Sequence, residues 1–338
     1  MSESKQPSVC PPGLLSFLSS ARSLRELAIS GCHLGSQFAE MLFDTLLDFC
    51  SLSTLEICDN NISGCFSKLR GRLASCSPSS LSVCMSLSSL RVLSLRGNNF
   101  GGYDVEDLAW TLVHMPNLHS LDISDNPIGD EGIRSLTPYF VQGLQRKVPL
   151  IDIKMESCSL SSKGVIELLE ILSTMQEPLN TLSIADNDLG SHVAAPLAKF
   201  LGISRVRVLN IGDTGLGPSG FLELEEELPE MLALCDIDIS GNRGGLGTAN
   251  FIAKILWRAP ELVRINAASN FMPPESLVVL CAALKQSRGR LEQIDLTGNF
   301  SCCCATNLSE IMEFHSHGKP IVVFPSIHTT AAPYDHDP

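Results

Sequence analysis

The sequence predicts an α/β fold made by repetition: a curved stack with parallel strands on its concave side and helices on its convex side. The first observation behind this is a pattern, L-x-x-L-x-L-x-x-N-x-L, carried by Leu52, Leu55, Ile57, Asn60 and Ile62. It returns as Leu90, Leu93, Leu95, Asn98, Phe100, as Leu118, Leu121, Ile123, Asn126, Ile128, and as Leu179, Leu182, Ile184, Asn187, Leu189. The second is its step. Ten copies begin at Leu24, Leu52, Leu90, Leu118, Leu150, Leu179, Val206, Leu234, Leu262 and Leu291, spaced 28, 38, 28, 32, 29, 27, 28, 28 and 29 residues apart. The third is a change of period inside each copy, from two residues to about 3.6.

Each part of the pattern has a physical reason. The L-x-L centre is a short strand whose alternate side chains point into the stack. The Asn sits where the chain turns away, so that its amide can serve backbone groups of neighbouring turns. Cys32, Cys158 and Thr214 take the Asn position in three copies. Behind the strand, Asp130 and Glu131 open a run with Ile133, Leu136, Phe140 and Leu144 at near-helical spacing, and Val165, Leu168, Leu169 and Leu172 repeat it.

These residues and a 28–29 residue step with full helices resemble the ribonuclease-inhibitor-like leucine-rich-repeat superfamily, over residues 13–324. The resemblance implies an α/β leucine-rich-repeat solenoid that binds proteins. Cysteine in place of the ladder Asn is common in that class. Residues 76–89 are expected to be an insertion loop on the helix side, and 319–324, KPIVVF, a closing strand. Residues 1–12 are expected to be a flexible N-terminus and 325–338 a disordered tail. Leu14, Leu15, Phe17 and Leu18 form a thin capping helix, which suggests the C-terminal part of a larger chain or pairing at that end. That cap, KPIVVF and the tail PYDHDP also resemble the C-terminal repeats of plant Tonsoku-type proteins, nuclear scaffolds of chromatin replication and repair.

Composition narrows the function. A net charge of −13 argues against direct nucleic-acid binding, which needs a basic footprint. No apolar run reaches the roughly 20 residues of a membrane span, and the first residues lack a signal-peptide pattern. Thirteen irregularly spaced cysteines do not describe a disulfide framework, so an intracellular protein of nucleus or cytoplasm with reduced thiols is expected. Cys302, Cys303 and Cys304 with His315 and His317 invite a metal reading. Adjacent cysteines are poor joint ligands, so thiols of the last repeat are the simpler reading and neither metal nor cofactor is expected. Trp110 and Trp257 fall in helical stretches and are expected to pack in the core or on the convex side.

The outward strand positions are where function should lie. In repeats one to ten they carry eight acidic residues, Glu26, Glu56, Asp122, Asp152, Glu156, Asp236, Asp238 and Asp295, against Arg96, Lys154 and Arg264. The position before the ladder Asn adds Asp59, Asp125, Asp186 and Asp213, so these 40 positions hold 12 of the 37 acidic residues. One reading is an acidic concave face for a partner protein with a basic segment. The other is solubility, with the Asp column bonding turn amides. A second candidate is Arg243, Phe271 and Phe300, one residue past the Asn in three consecutive repeats, where they form a loop hot spot or else the two phenylalanines fold inward for Gly244 and Ser301. No catalytic residues stand out, and the function read from the sequence is a non-enzymatic scaffold. The alternative is a GTPase-activating protein similar to the Ran-specific activators, which share the repeat type and carry an acidic tail that this sequence lacks.

Overall fold

The computed structural model describes residues 13–21, 23–46, 51–75, 87–143, 150–175, 179–287, 289–299 and 321–323. Eleven parallel strands form one sheet in sequence order: β1 Glu26–Ser30, β2 Thr54–Cys58, β3 Val92–Ser94, β4 Ser120–Asp122, β5 Asp152–Lys154, β6 Thr181–Ser183, β7 Val208–Asn210, β8 Asp236–Asp238, β9 Arg264–Asn266, β10 Gln293–Asp295 and β11 Ile321–Val323. Equivalent residues of successive repeats pair directly, as Leu93↔Leu121, Leu121↔Ile153 and Leu209↔Ile237. Every strand of repeats one to ten therefore falls on the register read from the sequence.

Among the described residues ten α-helices follow or precede the strands: α1 Leu14–Ser20, α2 Ser36–Leu46, α3 Cys65–Ser75, α4 Gly102–Leu112, α5 Gly129–Gly143, α6 Ser162–Leu172, α7 Ala194–Ser204, α8 Gly217–Glu227, α9 Leu246–Arg258 and α10 Ser276–Gln286. Strands lie about 4.8 Å apart and packed helices about 8–10 Å apart, so a stack of such units must bend with the strands inside. The inward strand residues and the helix stripes share one core. Leu121, Ile153, Leu182 and Ile237 are fully buried, as are Ile133, Leu136, Val165 and Leu168 opposite them.

Helix starts are tied across repeats. Asp130, in the first turn of α5, accepts from the backbone N–H of Ser161 at 2.9 Å and from its hydroxyl at 2.6 Å, just ahead of α6. Asp104 of α4 likewise accepts from Gly64 N–H at 2.6 Å in the previous repeat and from Gly101 N–H at 3.0 Å in its own. Such carboxylates satisfy N-terminal amides and favour the positive end of the helix dipole.

The last residues of the expected insertion, 87–89, are described. Residues 76–86 lie outside the described residues, but Leu87–Ser89 is a turn of 3-10 helix with Leu87 buried, so its last residues belong to the repeat. Of 319–324, the described Ile321–Val323 pair in parallel with β10. Residues 1–12 and 325–338, Leu144, and the Cys302–Cys304, His315 and His317 group lie outside the described residues. Among the described residues no group of three or more potential metal ligands exists, and no helix is long and apolar enough to cross a membrane. Cys32, Cys58, Cys65, Cys158 and Cys235 are free thiols. Burial pushes the Cys158 thiol up to about 12, which keeps it protonated and inert.

Candidate protein-binding face

The ladder asparagines make the strand face rigid. Asn126 is fully buried; its Oδ1 accepts from Asn98 N–H at 2.9 Å and Phe100 N–H at 3.0 Å in the preceding repeat. Its Nδ2 donates to the carbonyls of Leu95, Ile123 and Ser124, each at 2.9 Å. Asn187, Asn242 and Asn299 repeat the arrangement against Leu160, Leu216 and Met272. Outward side chains on such a face cannot sink inward, so charge placed there stays on the surface.

The carboxylates between the two core positions are held by their own turns. Asp122 accepts from Ser124 N–H at 3.0 Å, Asp238 from Ser240 N–H at 2.9 Å and Asp295 from Thr297 N–H at 2.8 Å. Asn210 and Asn266 do the same for Gly212 and Ala268, so an Asn supplies this bond as well as an Asp. The column before the ladder residue obeys another rule. Asp59, Asp125, Asp186 and Asp213 have φ of 57°, 55°, 55° and 50°, while Gly31, Gly97, Ser157, Gly241, Ser269 and Gly298 hold the same position, also at positive φ. That left-handed backbone, more than a bond to turn amides, selects Asp, Gly and Ser there. Where a Gly follows an Asp in the next repeat, the carboxylate lies over the bare Cα: Asp59 over Gly97, and Asp213 over Gly241.

The twelve acidic residues do not form one uniform surface. In the middle, Arg96 of repeat three reaches Asp125 of repeat four at 2.6 Å and Glu156 of repeat five at 3.1 Å. Glu156 also accepts from Ser183 Oγ at 2.6 Å and Asn210 Nδ2 at 3.2 Å, so one network spans repeats three to seven. Ser124, Ser183 and Ala185 are buried in that stretch. Burial pushes the Glu156 carboxyl up, but the Ser183, Arg96 and Asn210 contacts outweigh it and hold it below its ordinary value. Asp186 at the edge moves the other way: partial burial, then the charges of Asp213, Glu156 and Asp125, raise it. Asp236 is paired with Arg264 at 2.5 Å, and Asp152 accepts from Asn180 Nδ2 at 3.0 Å. Among the described residues, Glu26, Glu56 and Asp59 at one end and Asp213, Asp238 and Asp295 at the other form no ion pair.

A leucine-rich-repeat family model matches residues 89–110, and a second leucine-rich-repeat model matches residues 114–136. Ribonuclease inhibitor of Sus scrofa is 27% identical over 192 residues, covering 56% of this chain and 41% of that protein. The Mus musculus ribonuclease inhibitor is 27% identical over 237 residues, 62% of this chain and 50% of the inhibitor. These matches support the ribonuclease-inhibitor-like leucine-rich-repeat superfamily. Tonsoku-like protein of Mus musculus is 25% identical over 237 residues, covering 67% of this chain and 17% of that protein. The chain spans half or less of the length of these relatives. Among solved structures, a leucine-rich-repeat-containing protein of Legionella pneumophila superposes with a TM-score of 0.43 at 18% identity, over 73% of this chain and 74% of the other.

Two features depart from the leucine-rich-repeat rule. Phe271 does not fold inward: it is 67% exposed, and the space beside Gly244 is filled by Phe221 of the preceding repeat, whose ring a Cβ at Gly244 would strike. Phe271 and Arg243 both have φ of 55°, a conformation that costs a branched or bulky residue about 1–2 kcal/mol relative to glycine. Phe300 lies outside the described residues. Trp257 is likewise not packed away; at 66% exposure it lines an open groove with Leu256, Pro260 and Lys285, because it stands on the outer side of α9 near its end. Trp110 is half-buried against the core, under the Arg70 guanidinium at 5.9 Å.

Proposed function

We propose that this leucine-rich-repeat protein is a non-enzymatic interaction scaffold whose strand face takes a Lys/Arg-rich segment of a partner protein. Leucine-rich-repeat proteins generally serve in protein–protein interaction. The observation that carries the finer reading is the division of the acidic lining. In its middle Arg96 pairs with Asp125 and Glu156, while Glu26, Glu56 and Asp59, and then Asp213, Asp238 and Asp295, stand on the sheet without ion pairs among the described residues. Carboxylates in fixed positions attract a basic segment without the ordering cost that mobile loops would add. With the Tonsoku-type likeness, a basic segment of a nuclear chromatin protein is the ligand class that fits both chemistry and relatives.

The test substitutes Glu56→Gln, Asp122→Asn, Asp238→Asn and Asp295→Asn together. The amides keep the turn bonds that the aspartates accept, and beyond charge the set gives up the bond from Asn266 Nδ2 to the second oxygen of Asp238. Binding of a labelled oligolysine peptide is expected to fall at least tenfold at low salt, and about as steeply in the intact chain on raising salt. Thermal stability should hold. Unchanged binding sinks the reading, and so does acceleration of GTP hydrolysis by a small GTPase at the same face.

A further inference from the structure

The residue after the ladder position shows where the fold accepts a cost that packing does not require. In the left-handed conformation this position holds His33, Asn61, Asn99, Ser159 and Gly215 in five repeats, mostly residue types that tolerate it. In repeats eight and nine, side by side, it holds Arg243 and Phe271, both exposed. Neither completes the core.

Two independent irregularities coincide there. The apolar residue that should follow the ladder Asn by two positions is Gly244, and Phe221 fills its place; Leu246, the first residue of α9, puts an apolar side chain, 43% exposed, where other repeats hold Asp130, Ser162, Ser191 or Pro218. The ladder is also incomplete at this joint, where Asn270 Nδ2 donates to Ile239 O but Oδ1 accepts nothing. Asn270 is fully buried, yet its Oδ1 has no hydrogen-bond partner, whereas Asn126, Asn187, Asn242 and Asn299 each accept two backbone amides from the preceding repeat. Gly245 lies against the Phe271 backbone, its N–H donating to Asn270 O at 2.9 Å as Gly190 and Gly217 do to the next ladder residue at their own joints. Strain, a lost ladder contact and two exposed apolar side chains thus meet at one point of the rim where the chain leaves the strands. Departures from a repeat rule that the fold itself does not need are expected at functional sites.

We propose that Leu246 and Phe271 form the seat for one large apolar side chain of the partner, next to the basic residues that the strand face takes. This rests on the reading of that face given above. The occupant follows from the charges around the seat. Asp213, its carboxylate lying over Gly241, and Asp238 stand on the strand side of the two repeats before Phe271, without ion pairs among the described residues. Arg243 places a cation beside Phe271, at the same position of the preceding repeat. The partner segment therefore lies with its lysines or arginines over the strands, its apolar residue on Phe271, and a neutral or acidic stretch beside Arg243.

The experiment uses the full chain and two labelled peptides, one an oligolysine ending in two leucines and the other ending in two serines, followed by fluorescence anisotropy. The intact chain should bind the leucine peptide on the order of tenfold more tightly, the increment of burying a leucine. Phe271→Asn should abolish that increment while leaving the melting temperature unchanged or higher, since Asn tolerates the left-handed backbone. Asp213→Asn with Asp238→Asn should weaken both peptides equally and keep the increment. Equal binding of the two peptides by the intact chain overturns the seat while leaving the acidic face standing. An increment surviving in Phe271→Asn, or a fall in its melting temperature, also overturns the seat. So does self-association of the chain that this substitution removes, because the occupant is then a second copy. Binding of neither peptide removes the acidic-face reading, and the seat with it.

Discussion

Asn126 and Asn270 offer a matched pair for measuring what the ladder contributes. Both are fully buried, and each Nδ2 donates to three carbonyls: Leu95, Ile123 and Ser124 for Asn126, and Ile239, Ala267 and Ala268 for Asn270. All six carbonyls keep another donor after truncation. Leu95 O retains Asn98 Nδ2, Ile123 O the Cys158 thiol and Ser124 O the Gly97 amide. Ile239 O retains Asn242 Nδ2, Ala267 O Asn299 Nδ2 and Ala268 O the Gly241 amide. The two sites differ in Oδ1. Truncating Asn126 orphans the buried amides of Asn98 and Phe100, whereas truncating Asn270 orphans none. An unsatisfied buried donor costs about 1–3 kcal/mol, so Asn126→Ala should lose about 2–6 kcal/mol more than Asn270→Ala. Urea unfolding of both variants measures the difference, and hydrogen exchange at Asn98 and Phe100 locates it. Losses equal to within about 0.5 kcal/mol, with those amides still protected, would refute the reasoning.

Gly97→Ala should cost about 1–2 kcal/mol from its φ of 69° alone, and more because the new Cβ meets the Asp59 carboxylate. Adding Asp59→Gly should return part of that loss in thermal unfolding; a strictly additive pair would show that the carboxylate is not the obstacle. Glu156, whose folded pKa is lowered, contributes stability above the ordinary carboxylate range that is lost as pH falls through the lowered value. Glu156→Gln should therefore destabilise at neutral pH, by less as pH drops below about 4. Asp186 carries the opposite sign: its raised pKa makes the charged form a burden in the folded state. Asp186→Asn should raise the melting temperature at neutral pH, and the gain should fade as pH falls through the raised value.

The strands and the helix faces were legible because local periodicity determines them: Leu93, Leu121 and Ile153 occupy the core positions that the pattern assigns. The acidic lining was legible as a set of positions but not as a surface. Arg96 and Glu156 lie 60 residues apart in sequence, and which carboxylates the guanidinium reaches depends on the offset between strands two repeats away. Bonding of turn amides is one reason for the Asp column, and its left-handed backbone conformation is another. Alternation of Asp with Gly at Asp59 and Gly97, or Asp213 and Gly241, was visible in the sequence and is the signal for it. The outward turn of Phe271 was not legible, because it depends on Phe221, one full repeat earlier, having already filled the space behind Gly244.

The ladder is not equally continuous along the stack, and this bears on how the protein yields under load. Asn60, Asn98, Asn126, Asn187, Asn242 and Asn299 each bolt their repeat to the one before through amides received at Oδ1. Cys158 has no side-chain oxygen to offer, Thr214 spends its hydroxyl on Ile211 O and Asn242, and Asn270 receives nothing. The bonds received at Oδ1 are thus interrupted after repeats four, six and eight, where Arg96, Asn210 and Asn270 Nδ2 still reach across. Pulled from its ends, the stack should yield first at these three joints.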